Sequence, residues 1–474
     1  MENILRYYLM PHPPLIIPSV GKGQEKVIQS TIDACNKVGE EISKLKPETV
    51  VIITPHGTMF SDALAISNED YIKGDFTKFR DFDTYIEGRI DKKFNEELIN
   101  ICKRENIPAA GIDSNILKKF NRQFELDHGA MIPMYFINKY YKDYKIVHVT
   151  YAALSDIDLY KFGMAIKESA KNLNRTTVFI ASGDLSHRLS EDGPYEYSPE
   201  GAKFDKTLLD NLQKGDVLNI FNMDKYMVEN AGECGLRSIF IMLGAMEGEE
   251  VKGKVLSYEG PFGVGYGVMT FNNELKNNSN LELLINMKKE KFKKKLSDKN
   301  PYVKLARESL NHYYSSGHLM AKPADLPKEL SKQKCGAFVS LKKFGKLRGC
   351  IGTFLPTTDS LAEEIIRNAV EAATQDPRFP RVREDELLDL DISVDVLSRP
   401  HKATKEELDP KKYGVIVIQG HKKGLLLPDL EGVDSVDYQL EIACQKAGIS
   451  PSEEYEIERF EVKRYHSWSC ACLW

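Results

Sequence analysis

Residues 49–57, Thr-Val-Val-Ile-Ile-Thr-Pro-His-Gly, decide how the first half of the chain is read. All of the first six are β-branched hydrophobes or threonines in an unbroken run, which predicts a strand buried on both faces rather than an alternating surface strand. Pro55 and Gly57 stop it, and His56 sits in the stop. Upstream, Ile28, Ile32, Cys35, Val38, Ile42 and Leu45 recur at helical spacing until Pro47 ends the run. Downstream, Tyr144–Ala152 (YKIVHVTYA) and Thr176–His187 (TTVFIASGDLSH) repeat the buried-strand character, with helical patterns between them. The implied fold is α/β with a central buried sheet flanked by helices, in which ligands bind just beyond the strand ends.

The 474 residues carry 42% hydrophobic and 28% charged side chains, an ordinary globular composition long enough for several domains. The formal charge of −5 gives no electrostatic case for nucleic acid. No run of 18 apolar residues suggests a membrane span, and the N-terminus does not read as a signal peptide. The eight cysteines follow neither a disulfide framework nor a zinc-ribbon spacing, so a reducing, cytoplasmic setting is expected. Homo-oligomerisation is left open. Residues 272–299, rich in Asn and Lys, read as a mostly solvated linker with room for a short amphipathic helix. This gives domains at 1–271 and 300–464, and a tail at 465–474.

Three histidines of the first domain fall at predicted strand ends. His12 lies between Pro11 and Pro13, His56 ends the run above, and His187 ends SGDLSH. Glu233 sits between Gly232 and Cys234-Gly235 on a flexible turn. Two imidazoles and a carboxylate suit one face of a non-haem Fe(II) with open positions, and equally a catalytic zinc. Ligand type alone decides neither. Asp184 and Ser186 are read either as orienting His187 or as capping the next helix. His148, inside a strand, is read as a sheet histidine, and Cys234 as buried packing. The segment Gly260–Phe271 lacks the G-x-G-x-x-G spacing of a dinucleotide loop.

Taken in order, MPHPPLIIPSVG, ITPHG, DHGAMIPMYF, SGDLSH and NAGECG resemble the class III extradiol ring-cleavage dioxygenases, the LigB-like superfamily that also contains the Memo proteins. The resemblance spans about residues 5–271. It implies that His12, His56 and Glu233 hold Fe(II), with zinc or another divalent metal as the alternative. It implies that His187 is the acid–base residue, and that His128 lies close to substrate or oxygen. The implied reaction inserts O2 beside the hydroxyls of a catechol-like diol. The implied alternatives are a metal-binding redox or adaptor protein and a zinc hydrolase.

The second domain is expected to be α+β. Its LRGCIG motif at 347–352 and DPRFP at 376–380 resemble the AMMECR family across about 300–464. The pairing of the two domains resembles a fusion from the AmmeMemoRadiSam systems, which implies a radical SAM protein as partner. Cys350 is read as a candidate nucleophile, with Arg348 lowering its pKa and His421 as base, or else as a small buried hydrophobe. Arg348 and Arg378 are the alternative as an anion pocket. Cys470 and Cys472 are read as part of a loosely ordered terminus, with a metal role as the alternative.

Overall fold

The computed structural model describes residues 3–272, 274–275, 279–296, 300–343, 346–430 and 432–466. Cys470 and Cys472 lie outside them. The chain divides into two compact units, Met1–Asn286 and Met287–Trp474.

The first unit is built on ten strands: β1 (Ile4–Met10), β2 (Thr49–Thr54), β3 (Leu64–Ser67), β4 (Tyr71–Asp75), β5 (Tyr85–Ile90), β6 (Ala109–Ile112), β7 (Lys145–Thr150), β8 (Thr177–Ser182), β9 (Gly253–Glu259) and β10 (Tyr266–Phe271). The main path runs β4-β5-β7-β2-β8-β1-β10-β9, with β3 joining β6 and β7 off it. The centre, β5-β7-β2-β8-β1, is parallel; β10, β9 and β4 pair antiparallel at the flanks. Every residue of β2 and β8 is buried, as the unbroken apolar runs require of a sheet covered on both faces. The covering helices include α1 (Gln29–Leu45), α2 (Lys92–Arg104), α3 (His128–Asn138), α4 (Asp156–Asn172), α5 (Pro199–Lys214) and α6 (Leu236–Ala245). The α1 stripe predicted from sequence is a stripe in fact: Ala34, Cys35, Val38 and Ile42 face the sheet. Lys46 closes that helix in a left-handed conformation just before Pro47.

Because the central strands are parallel, their C-terminal ends share one edge of the sheet. His12 follows β1 by two residues, His56 follows β2 by two, and Asp184 follows β8 by two. The sequence therefore delivers these groups to a single rim, the location at which α/β sheets bind ligands.

The linker expectation changes in detail. A 17-residue helix, α7 (Asn280–Leu296), occupies most of that segment, and Leu284 on it is fully buried. The second unit carries α8 (Pro301–Ser316), α9 (Leu361–Thr374) and α10 (Val436–Ala447) with seven strands: β11 (Ala337–Lys343), β12 (Lys346–Thr353), β13 (Leu390–Leu397), β14 (His401–Lys402), β15 (Tyr413–Gln419), β16 (Lys422–Leu426) and β17 (Glu456–His466). The order is β12-β11-β13-β17-β15-β16, with β14 on β17, and every pairing is antiparallel. Helices α8 and α9 bury Leu305, Ile365 and Ala369 with Val339, Leu341 and Val394 of the sheet. Helix α10 makes a separate core with Val415, Val417 and Leu426. Ser360 caps α9, accepting the Glu363 N–H. The fold is α+β, as expected.

Candidate metal centre

His12 is almost fully buried. Its backbone N–H donates to Asp184 Oδ1 at 2.8 Å, and its ring Nδ1 lies 2.9 Å from Ser182 Oγ at the end of β8. Its Nε2 faces His56 Nε2 at 3.0 Å. His128, the first residue of α3, stacks on His56 with ring centroids 4.2 Å apart, and meets His12 edge-on at 5.4 Å. One ring nitrogen from each of the three histidines lies within 4.8 Å of the others. Gly129 permits this approach of α3, since a Cβ there would stand 2.3 Å from Thr54 Oγ1. Burial disfavours charge on all three imidazoles; His56 and His187 oppose it further at His12, and His12 and His56 at His128. His128 is pushed down to about 3. Neutral imidazoles with free lone pairs are what a cation requires.

The structure gives the two side chains of the 233–234 turn different partners. A Glu233 oxygen accepts the Leu236 N–H at 2.6 Å, at the start of α6, where a carboxylate also meets the positive end of the helix dipole. Cys234 is the residue that faces His12: its Sγ lies 3.6 Å from His12 Nε2, and it accepts the Asp184 N–H at 3.3 Å. The two turns interlock because Gly183 and Gly235 touch through their backbones; a Cβ on Gly183 would fall 2.1 Å from Gly235 Cα. Burial pushes the Cys234 thiol and the Glu233 carboxyl up, and raises Asp184 to about 6 against the pull of the His12 N–H.

His187 stands on the same rim. Its Nε2 is buried and has no hydrogen-bond partner. Its ring stacks on Tyr195 at 5.2 Å, and its N–H donates to Ala231 O, tying the His187 loop to the Glu233 turn. Burial lowers its pKa while Asp184 draws it back up. Asp184 spends its hydrogen bond on the His12 N–H, and Ser186 Oγ donates to Ala231 O. The next helix begins only at Pro199 with Ser198 as cap, so neither residue caps it. The Ser186 N–H is held instead by buried Asp205, which also accepts from Tyr258.

Sequence reading missed the support beneath the histidines. Asp127, one residue before His128, accepts from Thr54 Oγ1 at 2.5 Å and lies 3.0 Å from His148 Nε2; His148 Nδ1 in turn meets Ser67 Oγ. His148 is a sheet histidine, as read, but one paired with a buried acid. Each group lies in a quoted motif, yet the pairing joins residues 54, 127 and 148 and carries no local signal.

In the second unit, Arg348 forks onto Glu386 (2.9 and 3.1 Å) and donates to Pro380 O and Arg381 O. Arg378 forks onto Asp376, which also accepts the Cys350 N–H. Cys350 Sγ accepts from Ser340 Oγ at 3.1 Å. His421 lies on the turn between β15 and β16, at the opposite edge of the sheet from β12, which carries Cys350. Both arginines are thus committed to carboxylates of their own unit.

The donor set at the first rim fits a divalent metal: three clustered neutral imidazoles and a fourth with an orphaned ring nitrogen. Comparison with known proteins agrees. Residues 6–269 match the family model described as the catalytic LigB subunit of aromatic ring-opening dioxygenase, and residues 303–468 match AMMECR1. Protein CA_C1420 of Clostridium acetobutylicum is 54% identical over 460 residues, 97% of this chain and 98% of its own length. A Thermotoga maritima protein is 54% identical over 169 residues, 35% of this chain and 97% of its own. Among solved structures, uncharacterized protein PH0010 of Pyrococcus horikoshii is 32% identical, covering 34% of this chain and 88% of that one, with a TM-score of 0.32. Among the described residues no helix is long and apolar enough to cross a membrane. The chain belongs to the LigB family of ring-opening dioxygenase catalytic subunits, with an AMMECR1 domain following in the same polypeptide.

Proposed function

We propose that the first unit is an Fe(II)-dependent extradiol dioxygenase acting on a catechol-like diol. The observation that carries this reading is the unpartnered, buried Nε2 of His187 on the same rim as the imidazole cluster. His12 and His56 would hold the metal, with the third ligand from the 233–234 turn. When bound, the metal supplies Lewis acidity toward a diol hydroxyl and access to oxygen chemistry. His187 Nε2 takes the proton that the diol gives up and returns it as the ring opens. Tyr195 stacks on the His187 ring, and Phe79 packs edge-on to His128. Protein loaded anaerobically with Fe(II) is expected to consume oxygen with a member of a broad diol panel, and His187→Ala to abolish it. Absence of uptake across the panel in the loaded wild type counts against the reading.

One contact favours a second reading. The Cys234 thiol against His12 suits a metal-binding redox protein without ring cleavage. Metal retention separates the two: loss in Glu233→Gln favours the dioxygenase, and loss in Cys234→Ser alone favours the redox protein. A zinc hydrolase on the same ligands would keep zinc and act without oxygen. A radical SAM protein as partner and a chemical role for Cys350 belong to this proposal as well.

A further inference from the structure

The Gly129 carbonyl lies in the first turn of α3 and points at β8. The residue four positions on, whose N–H would ordinarily close the helical hydrogen bond to it, is Pro133, which has no N–H. Ser182 Oγ stands 2.5 Å from that carbonyl oxygen and 2.9 Å from His12 Nδ1. Ser182 is completely buried, so no solvent competes for either contact. Two oxygens at 2.5 Å need a proton between them, and a carbonyl has none to give. The single hydroxyl proton of Ser182 therefore goes to Gly129. What remains for His12 is a serine lone pair, so the contact is made by an N–H at His12 Nδ1.

We propose that Pro133 and Ser182 act together as a tautomer lock, holding His12 as the Nδ1–H imidazole with the Nε2 lone pair turned to the cleft. The chain of cause runs from a helix-breaking residue in α3, through an orphaned carbonyl, to a hydroxyl at the end of β8 whose direction is thereby fixed. Ser182 and Pro133 are positioning residues. The consequence for metal binding rests on the reading of His12 as a ligand, but the tautomer itself does not. The lock also separates the two facing histidines by role. His12 is set in advance, whereas the hydrogen bond recorded for the His56 ring is the one to His12 Nε2, with His56 Nε2–H as donor in the metal-free protein. His56 is then the ring that must change when a cation enters. Second contacts of this type on ligating histidines alter metal affinity about 10- to 100-fold.

The test uses the full-length, metal-free protein labelled with 15N-histidine, in which long-range proton–nitrogen correlation reads which ring nitrogen carries hydrogen. The wild type is expected to show His12 protonated on Nδ1 only. Ser182→Ala and Pro133→Ala are each expected to shift His12 toward a mixed or Nε2–H population, the second because a backbone N–H returns to Gly129 and frees the hydroxyl. Ser182→Thr, which keeps the hydroxyl, is expected to keep the wild-type pattern. Zn(II) affinity by chelator competition is expected to fall about tenfold or more in Ser182→Ala and to recover in Ser182→Thr. An Nε2–H signal for His12 in the wild type, or an unchanged tautomer in either disrupting variant, overturns the proposal. If the wild type shows the expected tautomer but takes up no Zn(II), the metal reading fails while the lock stands.

Discussion

The rim of the first sheet and the Cys350 end of the second sheet both gather titratable side chains, but they spend them oppositely. At the first rim, three imidazoles cluster, and His187 on the same rim has a buried ring nitrogen with no hydrogen-bond partner. Around Cys350, each arginine is matched by a carboxylate in fork geometry, and Glu386 takes Lys343 as well. Buried groups that are already satisfied hold a structure together, whereas an unsatisfied buried imidazole beside a cluster of metal-ligating side chains is a candidate for chemistry. The difference separates a rim that keeps an unpartnered imidazole nitrogen from a cluster whose arginines are already paired.

The contrast can be broken by substitution. His187→Ala should lower diol-dependent oxygen uptake by about 100-fold or more, the range for removing a general acid–base group, with thermal stability near that of the wild type. A variant that unfolds instead would make His187 a structural residue. Removing one partner at the second site should do the reverse: Glu386→Ala strands Lys343 and Arg348 and is expected to cost about 3 kcal/mol, read as loss of the second unit's share of denaturant unfolding of the whole chain. Unchanged unfolding would show that these pairs are not framework.

Acid sharpens the same point. Burial pushes Glu386 up, but hydrogen bonds from Arg348, the Arg383 N–H and Lys343 outweigh it and hold the carboxyl down at about 2. A carboxyl depressed on folding stabilises above its unfolded value of about 4.3 and loses that contribution as pH falls toward 2. The second unit should therefore lose stability between about pH 5 and pH 2, and Glu386→Gln should flatten that dependence. A slope that survives the substitution assigns the acid response to other groups. The smallest effect is expected at Cys350, where the backbone carries the ties to Asp376 and Arg378. Cys350→Ala should change stability by under about 1.5 kcal/mol, and a larger loss would give the thiol a structural role.

What could be read from the sequence follows the reach of its signals. His12, His56 and His187 were legible because each ends an apolar run, and a buried parallel sheet sends all such ends to one rim. The partners of Glu233 and Cys234 were not, since adjacent residues on a glycine turn differ only in direction, which the contact of Gly183 with Gly235 sets. Ser182 and Asp127 lie inside the motifs but carry no local signal, because their partners come from other elements, at residues 12, 129, 54 and 148. Arg348 and Arg378 looked available because Glu386 stands 38 residues from the first, and because an acid two residues before the second gives no sign of its direction. The linker looked solvated because the Lys and Asn content of 272–299 masks a helix that buries Leu284.

The central claim is that one divalent cation is shared by His12 and His56 at the first rim. Crystals grown anaerobically with Fe(II), with anomalous scattering collected at the iron edge, test it directly. The account predicts a single strong peak about 2.1 Å from both His12 Nε2 and His56 Nε2. No peak between those two rings, or a metal held elsewhere while they keep their mutual hydrogen bond, contradicts it.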